Sequence, residues 1–434
     1  MGAETPCCMV SVRALMADSR FQDMLTRLAS QGMDRAGFGD LPVPDGCSSD
    51  EMWGLVRSIR RAQGIRYRDG WTIDGVASTQ WFYPTHSIEL KLRELSRRTG
   101  AGSLLDQALS ERFGQRFVTS SLIGETVAAV SCEGLSITYE EARRACLGDT
   151  VPRRPVERLV ANMHALLVRM LGDELPPLDE ATIRTMYERL TQGIDANDLG
   201  GSMAWGDEWP GDPVDAGAVI AEVCSMASGE LVDPAEHPIV TSQRIICHFW
   251  RNGVFPLCNY VLGSLVCRLY LKQKGYPVFV YLPISQMSLA WRQGTCDCAG
   301  VWPYRDCCDV QGADYDWTLY WESCLQLLLH EAEALEETIL RVKGEDDEIL
   351  RSLRADHSFN HRQRTLLEQA VLTPSTAMRI EEYRAQHGLA YSTARQDLTS
   401  LVERGLLEMR YDGKAQVFTV RDDFKRRLAE RYGV

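Results

Sequence analysis

Apolar residues return at helical spacing along most of this chain. Phe21, Met24, Leu25 and Leu28 step by three and four, so residues 18–35 are expected to form an amphipathic helix and 52–62 another. Gly and Pro break the pattern between them, at 37–46. Residues 71–83 concentrate β-branched and aromatic side chains and predict a short hairpin, after which 87–97 returns to helix. Further helices are predicted at 104–112, 119–130, 138–146, 154–172, 179–192, 215–227 and 236–251. A loop containing Gly200-Gly201 and the Trp205, Trp209, Pro210 and Pro213 cluster interrupts them, and 261–273 is apolar enough to be a central helix.

The pattern changes near the end. An acidic amphipathic stretch at 331–341 leads into Lys343-Gly344-Glu345-Asp346-Asp347-Glu348, which predicts a linker or kink, and a new domain is expected near His357. Helices are predicted at 363–372, 376–386 and 392–403, then strands at 406–410 and 415–420 around Asp412-Gly413. Helix, turn, helix and a two-stranded wing is the order of a winged helix-turn-helix. Ser392 is placed as N-cap of the third helix, with Leu398, Leu401 and Val402 inward and Thr393, Arg395, Gln396 and Thr399 outward.

Those residues are the expected DNA-binding set. Arg and Gln bond base edges, Ser and Thr reach bases or phosphates, and Arg410 and Lys414 on the wing meet the backbone. One module offers few phosphate contacts, so a homodimer is expected. The plainer alternative is a dimerisation or docking module whose polar helix face is only solvated.

Composition narrows the classes. Over 434 residues, 45% hydrophobic and 25% charged fit ordinary globular domains and exclude wholesale disorder or a fibrous chain. The net charge of −13 argues against the whole chain binding a polyanion. Residues 356–434 nevertheless carry 13 basic against 11 acidic side chains, a net of +2, and the first 355 residues carry −15. Any nucleic-acid role is therefore placed in the last fifth. The start of the sequence lacks a signal-peptide pattern, so the 14 cysteines are expected to be reduced and the compartment cytoplasmic. No run of about 18 apolar residues predicts a membrane span.

Several patches share an order with one known family. His237-Pro238-Ile239-Val240 through His248-Phe249-Trp250, then Gly275-Tyr276-Pro277 and Tyr281-Leu282-Pro283-Ile284-Ser285, resemble the Fic family of protein adenylyltransferases. Upstream, Ser120-Ser121-Leu122-Ile123-Gly124-Glu125 leading to Glu133-Gly134, with Asn162 beyond, looks like the helix carrying that family's inhibitory motif. Asp314-Tyr315-Asp316-Trp317-Thr318 resembles a later element. Tyr391-Ser392-Thr393-Ala394-Arg395-Gln396-Asp397-Leu398 looks like the winged-helix tail of one branch of the family.

The resemblance implies a site built on HPFxxGNGRxxR, whose His is the general base and whose glycine-rich turn cradles phosphates at a helix N-terminus. Here the segment reads Val254-Phe255-Pro256-Leu257-Cys258-Asn259-Tyr260-Val261-Leu262-Gly263-Ser264, and Phe255 stands at the His position. A phenyl ring neither accepts a proton nor binds a metal. With Asn259 at the motif's Asn, Val261 and Ser264 stand at the arginine positions and both glycines are missing, so no cofactor and no binding of ATP with Mg are expected. Arg268, one turn after Ser264, is the candidate replacement cation, and Cys258, Asn259, Tyr260 and Arg268 are candidates for a remodelled pocket taking a small molecule.

The family's peptide-docking hairpin would fall at 198–213, which here is short and rich in Gly, Asp and Trp. Glu133 and Gly134 fit the inhibitory motif, while its Ser is Ala129; with the partner arginine missing, Glu133 is expected to cap a helix or bind a cation.

Other clusters have simpler readings. Cys296, Cys298, Cys307 and Cys308 are too closely spaced to share a tetrahedral zinc, so no metal site is expected. His248 beside Cys247 and Cys258 reads as a core histidine rather than half of a Cys/His nucleophile, and His237 as a helix-start residue. Trp205, Trp209 and Trp250 fit packing or a pocket, and Tyr281 and Tyr304 fall where the resemblance places nucleotide-side aromatics.

The expected fold is mainly α: an N-terminal helical region at 1–115, a Fic-like helical core at 116–342 with its inhibitory-type helix at 119–135 and degenerate motif at 255–264, and a winged helix-turn-helix at 356–434. The expected function is a ligand- or partner-responsive DNA-binding regulator that has lost adenylyl transfer, its state passed along the 331–350 helix. The alternative is a Fic-fold enzyme with other chemistry on a small-molecule or protein substrate; an atypical adenylyltransferase comes after both.

Overall fold

The computed structural model describes residues 12–33, 35–67, 72–73, 76–110, 114–195, 199, 215–293, 309–372, 377–412, 415–421 and 423–434. These residues are mostly helical, as the apolar spacing requires. The chain divides into two compact units, one of residues 1–106 and 119–333 and one of residues 107–118 and 334–434. None of the helices in the described residues is long and apolar enough to cross a membrane.

The first unit opens with α1 (Val12–Ala17), α2 (Ser19–Ser30), α3 (Arg35–Gly39) and α4 (Ser49–Gln63). α2 begins where the Asp18 carboxylate accepts the Arg20 amide, and it buries Phe21, Met24 and Leu28 at the expected spacing. Ser48 and Glu51 form a reciprocal capping box on α4. Phe38 and Trp53 join these apolar residues in one small core, their ring centroids 5.0 Å apart.

Short strands follow: β1 (Ile65–Arg66), β2 (Thr72–Ile73), β3 (Val76–Ala77) and β4 (Thr79–Phe82). The expected hairpin at 71–83 is the β2–β3 pair. β4 leaves it, pairing antiparallel with β1 and parallel with a strand more than two hundred residues later. A partner so distant leaves no local trace in sequence.

Helices α5 (His86–Thr99), α6 (Leu104–Ser110), α7 (Gly114–Cys132), α8 (Tyr139–Leu147), α9 (Pro155–Arg169), α10 (Glu180–Leu190), α11 (Ala216–Ser228), α12 (Pro238–Asn252), α13 (Asn259–Gln273) and α14 (Ile284–Arg292) come next. α13 is buried continuously from Tyr260 to Leu271, the central helix that its apolar run predicts. Its contact with α12 runs through Gly263, where a Cβ would lie 3.1 Å from the Cβ of Phe249 and 3.2 Å from the Ile246 backbone. Any larger residue here would push α12 and α13 apart by a few tenths of an ångström.

β5 (Asp309–Gln311) and β6 (Asp314–Asp316) complete a sheet of order β1-β4-β6-β5. Charge holds it to α4. The Asp314 carboxylate pairs with Arg57 at 2.5 Å and Arg61 at 2.9 Å and accepts the Trp81 indole N–H at 3.2 Å.

α15 (Thr318–Ala355) is a single helix of 38 residues. Its Glu322 binds the Gly32 amide at 2.8 Å, the Ser87 hydroxyl at 2.7 Å and Lys91 at 2.7 Å, and also pairs with Thr85, tying α5 and the segment after α2 to the helix. The charged run at 343–348, expected to be a linker or kink, is helical throughout. Asp346 is buried there and ion-paired with Lys425 at 2.5 Å, and Ile349, Leu350 and Leu353 enter an apolar core, so packing overrides local polarity. The boundary between the units falls within α15, between Glu333 and Ala334.

The second unit continues with α16 (His361–Leu372), β7 (Ala377–Arg379), α17 (Ile380–His387), α18 (Tyr391–Glu403), β8 (Leu407–Asp412), β9 (Ala415–Val420) and α19 (Phe424–Tyr432). The strands form an antiparallel sheet of order β7-β9-β8, with Asp412 opposite Ala415 at the hairpin end. Part of the helix expected at 376–386 is thus the strand β7, because its residues complete a sheet with β9. Leu398 and Leu401 are fully buried and Val402 packs beside them.

Candidate functional site

The candidate site is the turn from α12 into α13. Gly253, at φ 54°, ends α12 in the left-handed conformation. The Phe255 amide donates to Asn259 Oδ1 at 2.9 Å, and Asn259 Nδ2 donates back to the Phe255 carbonyl at 2.7 Å. Both polar ends of Asn259 are thereby spent on closing the turn. The Phe255 ring lies on Tyr187 of α10, centroids 3.9 Å apart and planes 17° from parallel. Burial raises the Tyr187 phenol to about 12.

Cys258 then caps α13 at φ 62°, the only non-glycine residue with positive φ among the described residues. A side chain held in that region costs about 1–2 kcal/mol. The thiol is 1% exposed, and burial, with the nearby Glu133 charge, pushes its pKa far above the ordinary range. Burial thus favours the neutral thiol over the reactive thiolate.

Glu133 meets the same helix end from α7. Gly134, at φ 77°, turns the chain as α7 stops, with the Leu135 amide returning to the Val130 carbonyl at 3.0 Å. The Glu133 carboxylate, 4% exposed, accepts the Tyr260 amide at 2.7 Å and the Val261 amide at 3.2 Å. It is a cap supplied from another helix. The first amides of α13 are the donors a bound phosphate would need, and an internal anion already holds two of them.

Arg268 is not a free cation. It is fully buried, paired with the 2%-exposed side chain of Glu125, and it donates to the Ser264 carbonyl at 3.0 Å and the Leu282 carbonyl at 3.2 Å. Glu125 also accepts the Ser285 amide at 2.9 Å. Of the residues expected to line a remodelled pocket, Cys258, Asn259, Tyr260 and Arg268, none is exposed. Cys258, Tyr260 and Arg268 are core residues, and Asn259 is bonded to the Phe255 backbone. The sequence signal missed was Glu125, about two turns of helix before the conspicuous Glu133.

His237 is the N-cap of α12, where its Nδ1 accepts the Ile239 amide at 3.2 Å. The ring proton consequently sits on Nε2, which faces Ser96 Oγ at 3.1 Å and the Tyr276 hydroxyl at 3.3 Å. The Ser96 hydroxyl itself donates to the Leu92 carbonyl. This His gives a proton to the cluster rather than taking one, and burial lowers its pKa to about 4. His248 is fully buried, its Nδ1 3.9 Å from a Glu222 carboxylate oxygen. Tyr281 is half-buried, and burial raises its phenol. No group of three or more His, Cys, Asp or Glu among the described residues is arranged to hold a metal ion. Trp205, Trp209, Cys296, Cys298, Tyr304, Cys307, Cys308 and Lys414, with most of the 198–213 loop, lie outside the described residues.

In the second unit, α18 starts at Tyr391 with Ala390 at its cap, so Ser392 lies inside the first turn and is exposed rather than capping. Arg395, Gln396 and Thr399 are exposed with it, and Thr393 is half-exposed. The opposite face is anchored: Asp397 binds Asn360 at 2.7 Å and Arg362 at 2.8 Å. Arg410 is exposed on β8 and pairs with Glu408 at 3.2 Å. Lys425, Arg427 and Arg431 are tied to Asp346, Asp423 and Asp356, which leaves fewer outward cations than the +2 balance suggests.

No protein-family model matches the sequence, and no curated protein matches it. Among solved structures, the chain is similar to the crystal structure of a Fic family protein from Desulfovibrio desulfuricans G20. The identity is 18% and the TM-score 0.47, over 82% of this chain and 99% of that one.

Proposed function

We propose that this chain is a Fic-fold protein that has given up adenylyl transfer and acts as a DNA-binding regulator through a winged helix in its second unit. The observation that carries the regulatory reading is the face of α18. Ser392, Thr393, Arg395, Gln396 and Thr399 make no side-chain hydrogen bond or ion pair among the described residues, while Asp397 and Leu398 lock the same helix inward. Unspent polar groups on an anchored helix suit base-edge and phosphate contacts. Binding as a dimer would supply the phosphate contacts that one module lacks.

Loss of adenylyl transfer rests on three features of the turn. Phe255 is spent on Tyr187 and offers no base, Cys258 replaces a flexible glycine, and Glu133 occupies amides that a phosphate would use. The family resemblance of the quoted motifs supplies the fold in this reading. α15, which contributes to both units, is the covalent route by which the state of one would reach the other.

Two assays on the full chain test it. Selection from random genomic fragments is expected to enrich specific sequences, and incubation with labelled ATP is expected to label neither the protein nor a lysate. No enrichment overturns the regulator; AMP transfer overturns the loss of activity.

A further inference from the structure

A cleft of about 570 Å³ opens between α9 and α10, with Leu269 of α13 at its base. That volume suits a small organic ligand. It is separate from the Phe255 turn and shares no residue with it. Its apolar lining comes from Leu166, Met170 and Met186 together with Leu269, and all four are buried.

Two arginines also line the cleft. Arg169 closes α9 and Arg189 lies in the last turn of α10; both are exposed, and neither side chain has a hydrogen bond or ion pair among the described residues. Several other arginines of the first unit are engaged within the fold. Arg57, Arg97, Arg98, Arg143, Arg154, Arg184, Arg244 and Arg268 each hold a carboxylate. Glu174 and Asp179 also line the cleft, and Asp179 is already engaged by the Thr182 amide. Their negative charge opposes a polyanion such as a nucleotide and leaves room for one anionic head.

We infer that this cleft binds a small amphipathic monocarboxylic acid, its carboxylate held by Arg169 and Arg189 and its hydrocarbon on the Leu and Met floor. Guanidinium matches a carboxylate with paired N–H donors, and the floor rewards each apolar group removed from water. The inference does not depend on the DNA-binding reading, and failure of either leaves the other standing.

Calorimetric titration of the full chain with straight-chain alkanoates from butanoate to octanoate tests it, with octanamide as the uncharged counterpart. One saturable site is expected, tightening about fourfold with each methylene. Octanamide should bind roughly tenfold more weakly than octanoate, the difference a charge-assisted contact supplies. Arg169→Ala with Arg189→Ala should bring octanoate down to the level of octanamide without changing the unfolding temperature, since both side chains are exposed. The inference is overturned if octanoate fails to bind, if acid and amide bind alike, or if the double variant keeps native affinity.

Discussion

The carboxylate of Glu133 accepts the backbone amide of Tyr260 at 2.7 Å, so a residue at the end of α7 caps the central helix α13. The same carboxylate takes the Val261 amide. Its negative charge lies at the positive end of the α13 dipole, which stabilises the pair further. The turn at 253–258 is thus built around an internal anion.

Removing that anion strands two buried amides. Glu133→Ala is expected to destabilise the protein by about 1–3 kcal/mol, read by urea denaturation. Glu133→Gln keeps a neutral acceptor and should cost less than the alanine. An unchanged midpoint for Glu133→Ala would show that the cap contributes nothing.

Glu125 and Arg268 are a buried pair whose partners also bind backbone groups. Arg268→Met alone leaves a buried carboxylate without its counter-charge and should cost about 3–5 kcal/mol. Glu125→Leu combined with Arg268→Met removes both charges and should recover most of that loss. Equal unfolding midpoints for the single and double variants would contradict this reading.

His237 predicts a pH dependence with a definite sign. Its folded pKa of about 4 lies below the unfolded value near 6.5, so the unfolded chain takes up the proton first. The stability it contributes is complete above pH 6.5 and falls as pH drops from there toward 4, by up to about 3 kcal/mol. His237→Asn retains an N-cap acceptor for the Ile239 amide and should flatten this part of the profile. The measurement is urea midpoint against pH for both proteins.

Sequence periodicity located most of these elements because their apolar faces are local. α13 illustrates this, its run of buried residues being contiguous. The 343–348 run misled because its one decisive residue, Asp346, is neutralised by Lys425 seventy-nine positions away. β4 was legible as a strand, but its parallel partner β6 was not. At the candidate site, Phe255 and Glu133 stood out through the motif order. The pairing of Arg268 left no trace in the sequence because its Glu125 partner sits a hundred and forty-three positions earlier. Tyr187 carried no motif at all, and only packing brings it under Phe255.

The role of α18 is the central claim, and salt-titrated fluorescence anisotropy tests it most directly. The full chain would be titrated onto a genomic fragment it enriches, between 50 and 200 mM salt, conditions over which phosphate contacts weaken strongly (roughly a thousandfold or more for six to ten contacts). Affinity should fall as salt rises. Arg395→Ala should weaken binding by about 1–3 kcal/mol and relax sequence preference, and Arg410→Ala should lower the salt slope by about one. Binding that ignores salt, or that survives both substitutions unchanged, would contradict the account.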